Sequence, residues 1–227
     1  MHAHGFMGLF YGLTEWIMKL SVINILWSII NIPIFLILLL MALSPSNSAV
    51  AFLAIPFAFL LPLLFFPSTT AVFGMVRDWL LKKENGSLVK GYWLHLKNNY
   101  KPSSLSGVIL TFIWFVWGID YFYLRSFHDI LGIVLFFIGI LLFAFTMIFF
   151  CLYVHYHMGM KELFKHTFFV TVGSPYTLLG TLIMNSIVIF LSTRFLFLIP
   201  FFTMSICAFL TFYLFYRFSL RVTNKET

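Results

Sequence analysis

Six apolar segments divide this chain, and each is long enough to cross the hydrocarbon core of a bilayer as a helix, which takes about 20 residues. The segments are Leu20–Leu43, Ala49–Phe66, Leu105–Leu124, Ile130–His155, Pro175–Thr193 and Phe195–Phe218. Backbone N–H and C=O groups in hydrocarbon must pair within the protein, and solid apolar runs favour helices over the alternating strands of a barrel. The sequence therefore predicts an all-α, polytopic membrane helix bundle of about six transmembrane helices.

The basic residues are sorted to one side of these segments. Of the 14 Lys and Arg residues, only Arg125 and Arg194 fall in connections on the opposite side. Lys and Arg beside a span stay on the cytoplasmic face, and an even number of spans returns the chain to the side on which it began. We therefore expect both termini in the cytoplasm, and this orientation accounts for the net charge of +7 without nucleic acid as a partner.

Residues 1–227 read as a single integral membrane domain in contact with the lipid bilayer, with three amphipathic stretches on the basic side. The sequence predicts an interfacial helix in residues 1–19 and a basic cytoplasmic loop with an amphipathic helix in residues 77–104. It predicts a second cytoplasmic amphipathic helix in residues 156–174. Ser174 and Pro175 can cap and open the span that follows.

Two explanations remain open for these basic, aromatic helices. Lys residues near anionic headgroups contribute about 1 kcal/mol each and can serve only to orient the protein. Alternatively the helices form a docking surface, because aromatic side chains anchor many interfaces. The residues of this predicted docking surface are Trp79, Lys90, Tyr92, Trp93, Lys97, Lys161 and Lys165.

The second span predicts an irregular helix. The apolar stretch of residues 49–81 is too long for one straight crossing, and it contains three prolines. The candidate helix break comprises Pro67, Ser68, Thr69 and Thr70, whose hydroxyl groups can bond carbonyls freed by proline. A plain proline kink and a functional broken helix of the kind found in transporters both fit.

Few charges fall within the apolar segments. Asp120 is expected to be the only carboxylate below the headgroups, and pairing at the outer face is predicted among Asp120, Arg125, Asp129 and Arg194. The histidines, including His95, read as isolated, and the chain has no HExxH, GxSxG or GxxxxGK[ST] motif. We therefore expect a non-enzymatic protein with no metal site and no cofactor.

One set of motifs comprises Glu15-Trp16-Ile17-Met18, Asn24-Ile25-Leu26-Trp27, the segment from Phe66 to Phe73, and Val76-Arg77-Asp78-Trp79. Together these motifs resemble the YesL-like family of bacterial membrane proteins, a domain of unknown function. The likeness covers most of the chain and is strongest over residues 10–101. It implies a multi-pass protein of the bacterial plasma membrane, encoded beside importers of complex carbohydrates. No established site residue can be carried over from the family.

The resemblance leads to the hypothesis of an accessory or assembly factor of a carbohydrate ABC importer, with permease or ATPase subunits as partners. Two alternatives stay open. One is a small secondary transporter or channel, which predicts a water-accessible cavity lined by Asn31, Thr69, Asn185 or Asp120. The other is a structural membrane protein with no dedicated client.

Overall fold

The computed structural model describes residues 6–83, 86–125, 129–156 and 158–226. These residues form nine α-helices and two short π-helical segments, and no strand occurs among them. The α-helices are α1 (Phe6–Ile30), α2 (Ile32–Leu43), α3 (Asn47–Leu60), α4 (Phe66–Leu80), α5 (Leu88–Leu124), α6 (Asp129–His155), α7 (Met160–Gly173), α8 (Pro175–Arg194) and α9 (Met204–Glu226). The π-helical segments, Leu61–Phe65 and Ile199–Thr203, directly precede α4 and α9.

Six of the described helical stretches are long and apolar enough to cross a membrane. They are Tyr11–Ile30, Asn47–Leu80, Leu88–Leu124, Ile130–His155, Pro175–Arg194 and Ile199–Arg221. The predicted fold class, an all-α polytopic bundle with about six spans, is confirmed.

The first predicted span, Leu20–Leu43, is wrong in its boundaries. Helix α1 runs without interruption from Phe6, so the expected division between an interfacial helix and a span at residue 19 does not exist within the described chain. The helix ends instead at Asn31, beyond which α2 begins with Pro33 in its first turn. Pro33 has no N–H to donate to the carbonyl of Ile29, and the Asn31 side chain bonds the Trp27 carbonyl at 2.7 Å.

The distortion of the second span lies one turn earlier than predicted. Asn47–Leu80 is one continuous helical stretch in which the π-helical segment Leu61–Phe65 is the irregular part. Pro67, Ser68, Thr69 and Thr70 are not a break, because they form the regular, buried first turns of α4. Pro67 is tolerated there because its missing N–H falls in the first turn after the irregular segment.

The predicted basic loop of residues 77–104 is mostly helix. Helix α4 continues to Leu80, and α5 runs for 37 residues from Leu88 to Leu124 with Pro102 inside it. At 1.5 Å per residue α5 is about 55 Å long, whereas a hydrocarbon core is about 30 Å thick. The amphipathic helix and the third span are therefore one rigid element.

The segment of residues 156–174 contains the helix α7, and its cytoplasmic position stays a prediction. Its buried face consists of Leu163, Thr167 and Thr171, and Phe168 is 57% exposed. The Oγ of Ser174 accepts from the N–H of Thr177, which caps α8 as expected.

Helix α4 is the centre of the bundle. It packs against α1, α5, α6 and α9, and every residue from Phe66 to Val76 is buried. Three successive hydroxyl groups at its start attach it to its neighbours. The Oγ of Ser68 accepts from the Asn31 amide at 2.8 Å, Thr69 Oγ1 accepts from the Trp27 indole at 3.0 Å, and Thr70 Oγ1 lies 2.7 Å from Ser103 Oγ.

One end of the bundle gathers the basic segments, and we call it the basic end. Trp16 of α1 packs against Trp79 of α4, and Tyr156, just after α6, bonds Ser219 of α9. The guanidinium group of Arg221 lies over the ring of Tyr176 in the first turn of α8. Contacts between distant segments thus place the N-terminal part, the α4–α5 turn, the α6–α7 turn and the C-terminal part at the same end.

Candidate functional site

A buried carboxylate, Asp78, lies at the basic end in the last turns of α4, and its residue is 5% exposed. Its Oδ1 accepts hydrogen bonds from Nε and Nη2 of Arg77, at 2.9 and 2.6 Å. Its Oδ2 lies 2.7 Å from Nε2 of His95 on α5. The Nη1 group of Arg77 donates to the carbonyl of Val154. Asp78 therefore links α4 to α5 directly and, through Arg77, to α6.

Gly74 permits this arrangement. It lies four residues before Asp78, on the same face of α4. A Cβ atom at Gly74 would lie 2.8 Å from Nδ1 and 2.9 Å from Cγ of His95, closer than real side-chain contacts allow. The imidazole ring thus packs directly on the α4 backbone, with its Nε2 turned to Asp78.

The turn at the end of α4 places a second basic residue, Lys83, on the same side of the bundle as Arg77. The N–H of Lys83 donates to the Asp78 carbonyl at 2.8 Å, and that of Lys82 to the Trp79 carbonyl at 3.1 Å. This pair of bonds is a Schellman motif, in which the left-handed position is occupied here by Lys82, with φ of 53°. The turn brings Lys83 to the cavity described next.

A cavity of about 550 Å³ opens beside Arg77, between α4, α5, α6 and α7. Its polar lining consists of Arg77, Lys83, His95, Asn98, Asn99, Tyr153 and Tyr156. Its apolar lining includes Pro102, Met158, Met160 and Leu163. Asp78 is not part of the lining, so the cavity presents cations, amides and hydroxyl groups, with the carboxylate behind them.

A separate exposed face occupies the first turns of α5. Lys90, Trp93, Leu94, Lys97 and Lys101 follow helical spacing and form what we call the α5 stripe. Trp93 is 50% and Leu94 59% exposed, although both are large and apolar. The stripe thus combines three lysines with an apolar centre, on the side of α5 that faces away from α4.

The predicted docking residues divide into two groups. Lys90, Trp93, Lys97, Lys161 and Lys165 are exposed. Tyr92 is fully buried in the core, and Trp79 is half-buried with its ring centroid 6.0 Å from that of Trp16. Tyr92 is therefore not available as an anchor in this structure, whereas a docking role for Trp79 stays a prediction.

Of the charges predicted to pair at the outer face, the structure describes the side chains of Asp120, Arg125 and Arg194. Asp120, Arg125 and Arg194 are all exposed, and no ion pair joins Asp120 to either arginine among the described side chains. Arg125 lies over the ring of Tyr121 at 5.6 Å, and Arg194 over Phe190 at 5.4 Å, each one turn earlier in its own helix. The side chain of Asp129 lies outside the described part.

The residues predicted to line a transport cavity do not lie together in the structure either. Asn31 and Thr69 are hydrogen-bonded in the core around α4, and Asn185 donates to Thr211 Oγ1 at 2.9 Å between α8 and α9. Asp120 is exposed near the far end of α5. The structure does not bring these four side chains together.

Sequence reasoning missed the Arg77, Asp78 and His95 group. The sequence predicts His95 to be isolated and Asp120 to be the only carboxylate below the headgroups, and it does not single out Asp78. The available signal was the four-residue spacing of Gly74 and Asp78, which puts a gap and an acceptor on one face of α4. Nothing in the local sequence indicates that His95 fills that gap, because the contact joins two helices.

Comparisons with known proteins agree with the resemblance noted in the motifs. Residues 20–121 match the model of a family described as "Protein of unknown function, DUF624". The chain is 26% identical over 228 residues to "Uncharacterized protein YteU" of Bacillus subtilis (strain 168), covering 98% of this chain and 90% of that protein. No solved structure matches significantly. The predicted resemblance to the YesL-like family is confirmed, and the matched range contains Arg77, Asp78 and His95.

Proposed function

We propose that this chain, an all-helical membrane protein whose residues 20–121 match the DUF624 family, is a non-enzymatic accessory or assembly factor of a carbohydrate ABC importer. It acts in the bacterial plasma membrane by binding a permease or ATPase subunit. The observation that carries the proposal is the α5 stripe, an exposed basic and apolar face in the first turns of α5.

The length of α5 supports a position of the stripe outside hydrocarbon. About 20 of its 37 residues suffice to cross the bilayer, and the remainder, about 25 Å of helix, extends beyond it. Trp93 and Leu94 would then face water, and covering a side chain of this size contributes about 1.5–3 kcal/mol. A protein partner with an apolar patch beside acidic groups would cover Trp93 and Leu94 and pair with the flanking lysines at the same time.

The proposal is tested by copurification. The full chain is tagged, expressed at its natural level and extracted in mild detergent, and importer subunits are identified by mass spectrometry. The double variant Trp93→Ala, Leu94→Ala should lose the bound subunits while it keeps its own yield and thermal stability, because both side chains are already exposed.

The matched control is the double variant Ile119→Ala, Tyr123→Ala at the other end of the same helix. These side chains are 54% and 64% exposed, so the loss of apolar surface is similar. The control should retain the subunits. The proposal is wrong if the wild type recovers no importer subunit, or if both double variants lose subunits equally.

Two further outcomes would favour the alternatives. Solute flux by the purified chain alone in liposomes would indicate a transporter or channel. Unchanged sugar uptake after deletion, together with no recovered subunit, would indicate a structural protein without a dedicated client.

A further inference from the structure

We infer that the cavity beside Arg77 is a binding site for a phosphate group, supplied either by a phospholipid headgroup or by a soluble phosphorylated compound. This inference does not depend on the proposed partner. Of the α5 residues that line the cavity, His95, Asn99 and Pro102 lie on a different face of that helix from the α5 stripe, and Asn98 lies at the border between the two faces.

The charge of the cavity wall favours an anion. Arg77 and Lys83 both line it, and no carboxylate is among its described lining residues. The neighbouring carboxylate, Asp78, is buried and already accepts from Arg77 and lies against His95. Its charge offsets only part of the positive charge of the wall, and none of the described lining residues supplies a carboxylate to pair with Lys83.

Arg77 is held in place before any ligand arrives. Asp78 Oδ1 accepts from its Nε and Nη2 groups, the Val154 carbonyl accepts from Nη1, and the side chain is only 18% exposed. Three of its N–H groups are thus used, and one N–H on each terminal nitrogen remains for a ligand. A fixed guanidinium with adjacent free N–H groups matches the geometry of phosphate oxygens.

The other lining groups favour phosphate over a carboxylate. The Lys83 ammonium, the Asn98 amide and the Tyr153 hydroxyl add donors to those of Arg77. Together they exceed what the two oxygens of one carboxylate accept, whereas a phosphate offers additional oxygens. A phosphate with several donors and a guanidinium around it forms charge-assisted hydrogen bonds throughout.

The size of the cavity indicates that the phosphate carries an attached group. Its volume of about 550 Å³ falls in the usual range of roughly 300–1,000 Å³ for ligand pockets and exceeds the volume of a lone phosphate. Met158, Met160 and Leu163 form the apolar part of its wall. A ligand that carries a phosphate next to an apolar or neutral group fits a cavity with one polar and one apolar wall.

The experiment measures binding of two probes to the full chain purified in mild detergent. Inorganic phosphate is added at constant ionic strength against chloride, and binding is followed by the shift in thermal unfolding. Phosphatidic acid is titrated against phosphatidylcholine, and bound lipid is counted by native mass spectrometry. The test variant is Lys83→Gln, and the control is Lys82→Gln, an exposed neighbour that does not line the cavity.

We expect wild type to bind at least one probe and Lys83→Gln to bind it more than about tenfold more weakly, the effect of one charged hydrogen bond. Lys82→Gln should stay within about twofold of wild type, because an exposed charge outside the cavity contributes little. Binding of phosphatidic acid alone assigns the headgroup as the source, and binding of inorganic phosphate assigns a soluble compound. Binding of neither probe, or equal weakening in both variants, would overturn the inference.

Discussion

Nε2 of His95 lies 2.7 Å from Oδ2 of Asp78, and this contact joins α5 to α4 where both leave the apolar part of the bundle. The same carboxylate accepts from Arg77, which reaches the α6 backbone. One acidic residue thus sets the relative positions of three helices and orients two groups that line the cavity.

Gly74→Ala should destabilise the protein by about 1–3 kcal/mol, the range for adding a methyl group to a filled interior. The new Cβ would lie 2.8 Å from Nδ1 of His95, so the ring must move away from Asp78. Thermal unfolding in detergent measures the effect.

Gly118→Ala is the matched control, because Gly118 also lies inside a helix and has no atom within 4 Å of the position of an added Cβ. This variant should be neutral or up to about 1 kcal/mol more stable, since Ala is a better helix former than Gly. Equal destabilisation of both variants would contradict the close packing of His95 on α4.

Asp78→Asn should destabilise the protein by about 3–5 kcal/mol, because Arg77 would be left as a buried cation without its counter-charge. The side chains are 6% exposed at Asp78 and 18% at Arg77, so solvent screens this pair weakly. Urea unfolding in mild detergent and the yield of folded protein both report on the change.

Glu15→Gln serves as the comparison for Asp78→Asn. It removes the partner of Lys19 from an ion pair of 2.5 Å whose side chains are 42% and 26% exposed. Such an exposed pair contributes at most about 1 kcal/mol. If Glu15→Gln were as damaging as Asp78→Asn, burial would not explain the importance of Asp78.

Sequence patterns predict the elements that local interactions decide, and they miss those that depend on contacts between distant residues. Ile130–His155 and Pro175–Arg194 are nearly as predicted, because apolar length and a local Ser174-Pro175 start decide them. The end of α1 before Asn31 has a local cause in Pro33, but the hydrogen bond that joins Asn31 to the regular helix at Ser68 links residues 37 positions apart. A local pattern carries no information about such a contact.

Lys82→Gly should stabilise the protein by about 1 kcal/mol. Lys82 has φ of 53° at the end of α4, a left-handed conformation that costs an L-residue roughly 1–2 kcal/mol and costs glycine little. Lys82→Ala is the control, because it removes the same charge and keeps the unfavourable conformation. A gain of stability in both variants would assign the effect to charge instead of backbone conformation.

Asn24→Leu should destabilise the protein by about 2–6 kcal/mol, because one buried and one part-buried backbone group lose their partner at about 1–3 kcal/mol each. The Asn24 amide donates to the Ile199 carbonyl and accepts from the Ser205 N–H, both at 2.9 Å. These groups flank the π-helical segment Ile199–Thr203, where the regular bonding pattern of the helix is interrupted.

Asn98→Leu provides the reference for Asn24→Leu, since Asn98 is exposed on α5. Thermal unfolding without added ligand should show a change within about 0.5 kcal/mol for this surface substitution. A similar loss in both variants would mean that Asn24 does not support the π-helical segment.

The candidate site was less accessible to sequence reasoning than the spans. Exposed Lys90, Trp93 and Lys97 were predicted as a docking face, and their helical spacing is a local property. Tyr92 was placed on the same face, yet it is buried, because α4 covers that side of α5. The cavity could not be predicted, since four helices contribute to its wall.

The orientation of the basic end underlies the docking surface and the cavity alike, and single exposed cysteines measure it directly. Cys151 and Cys207 are buried, so added cysteines dominate labelling by a membrane-impermeant maleimide. With any outer membrane removed, Arg194→Cys should be labelled in intact cells, whereas Lys97→Cys should be labelled only after lysis. Labelling of Lys97→Cys in intact cells would contradict a cytoplasmic position of the basic end and the functions assigned to it.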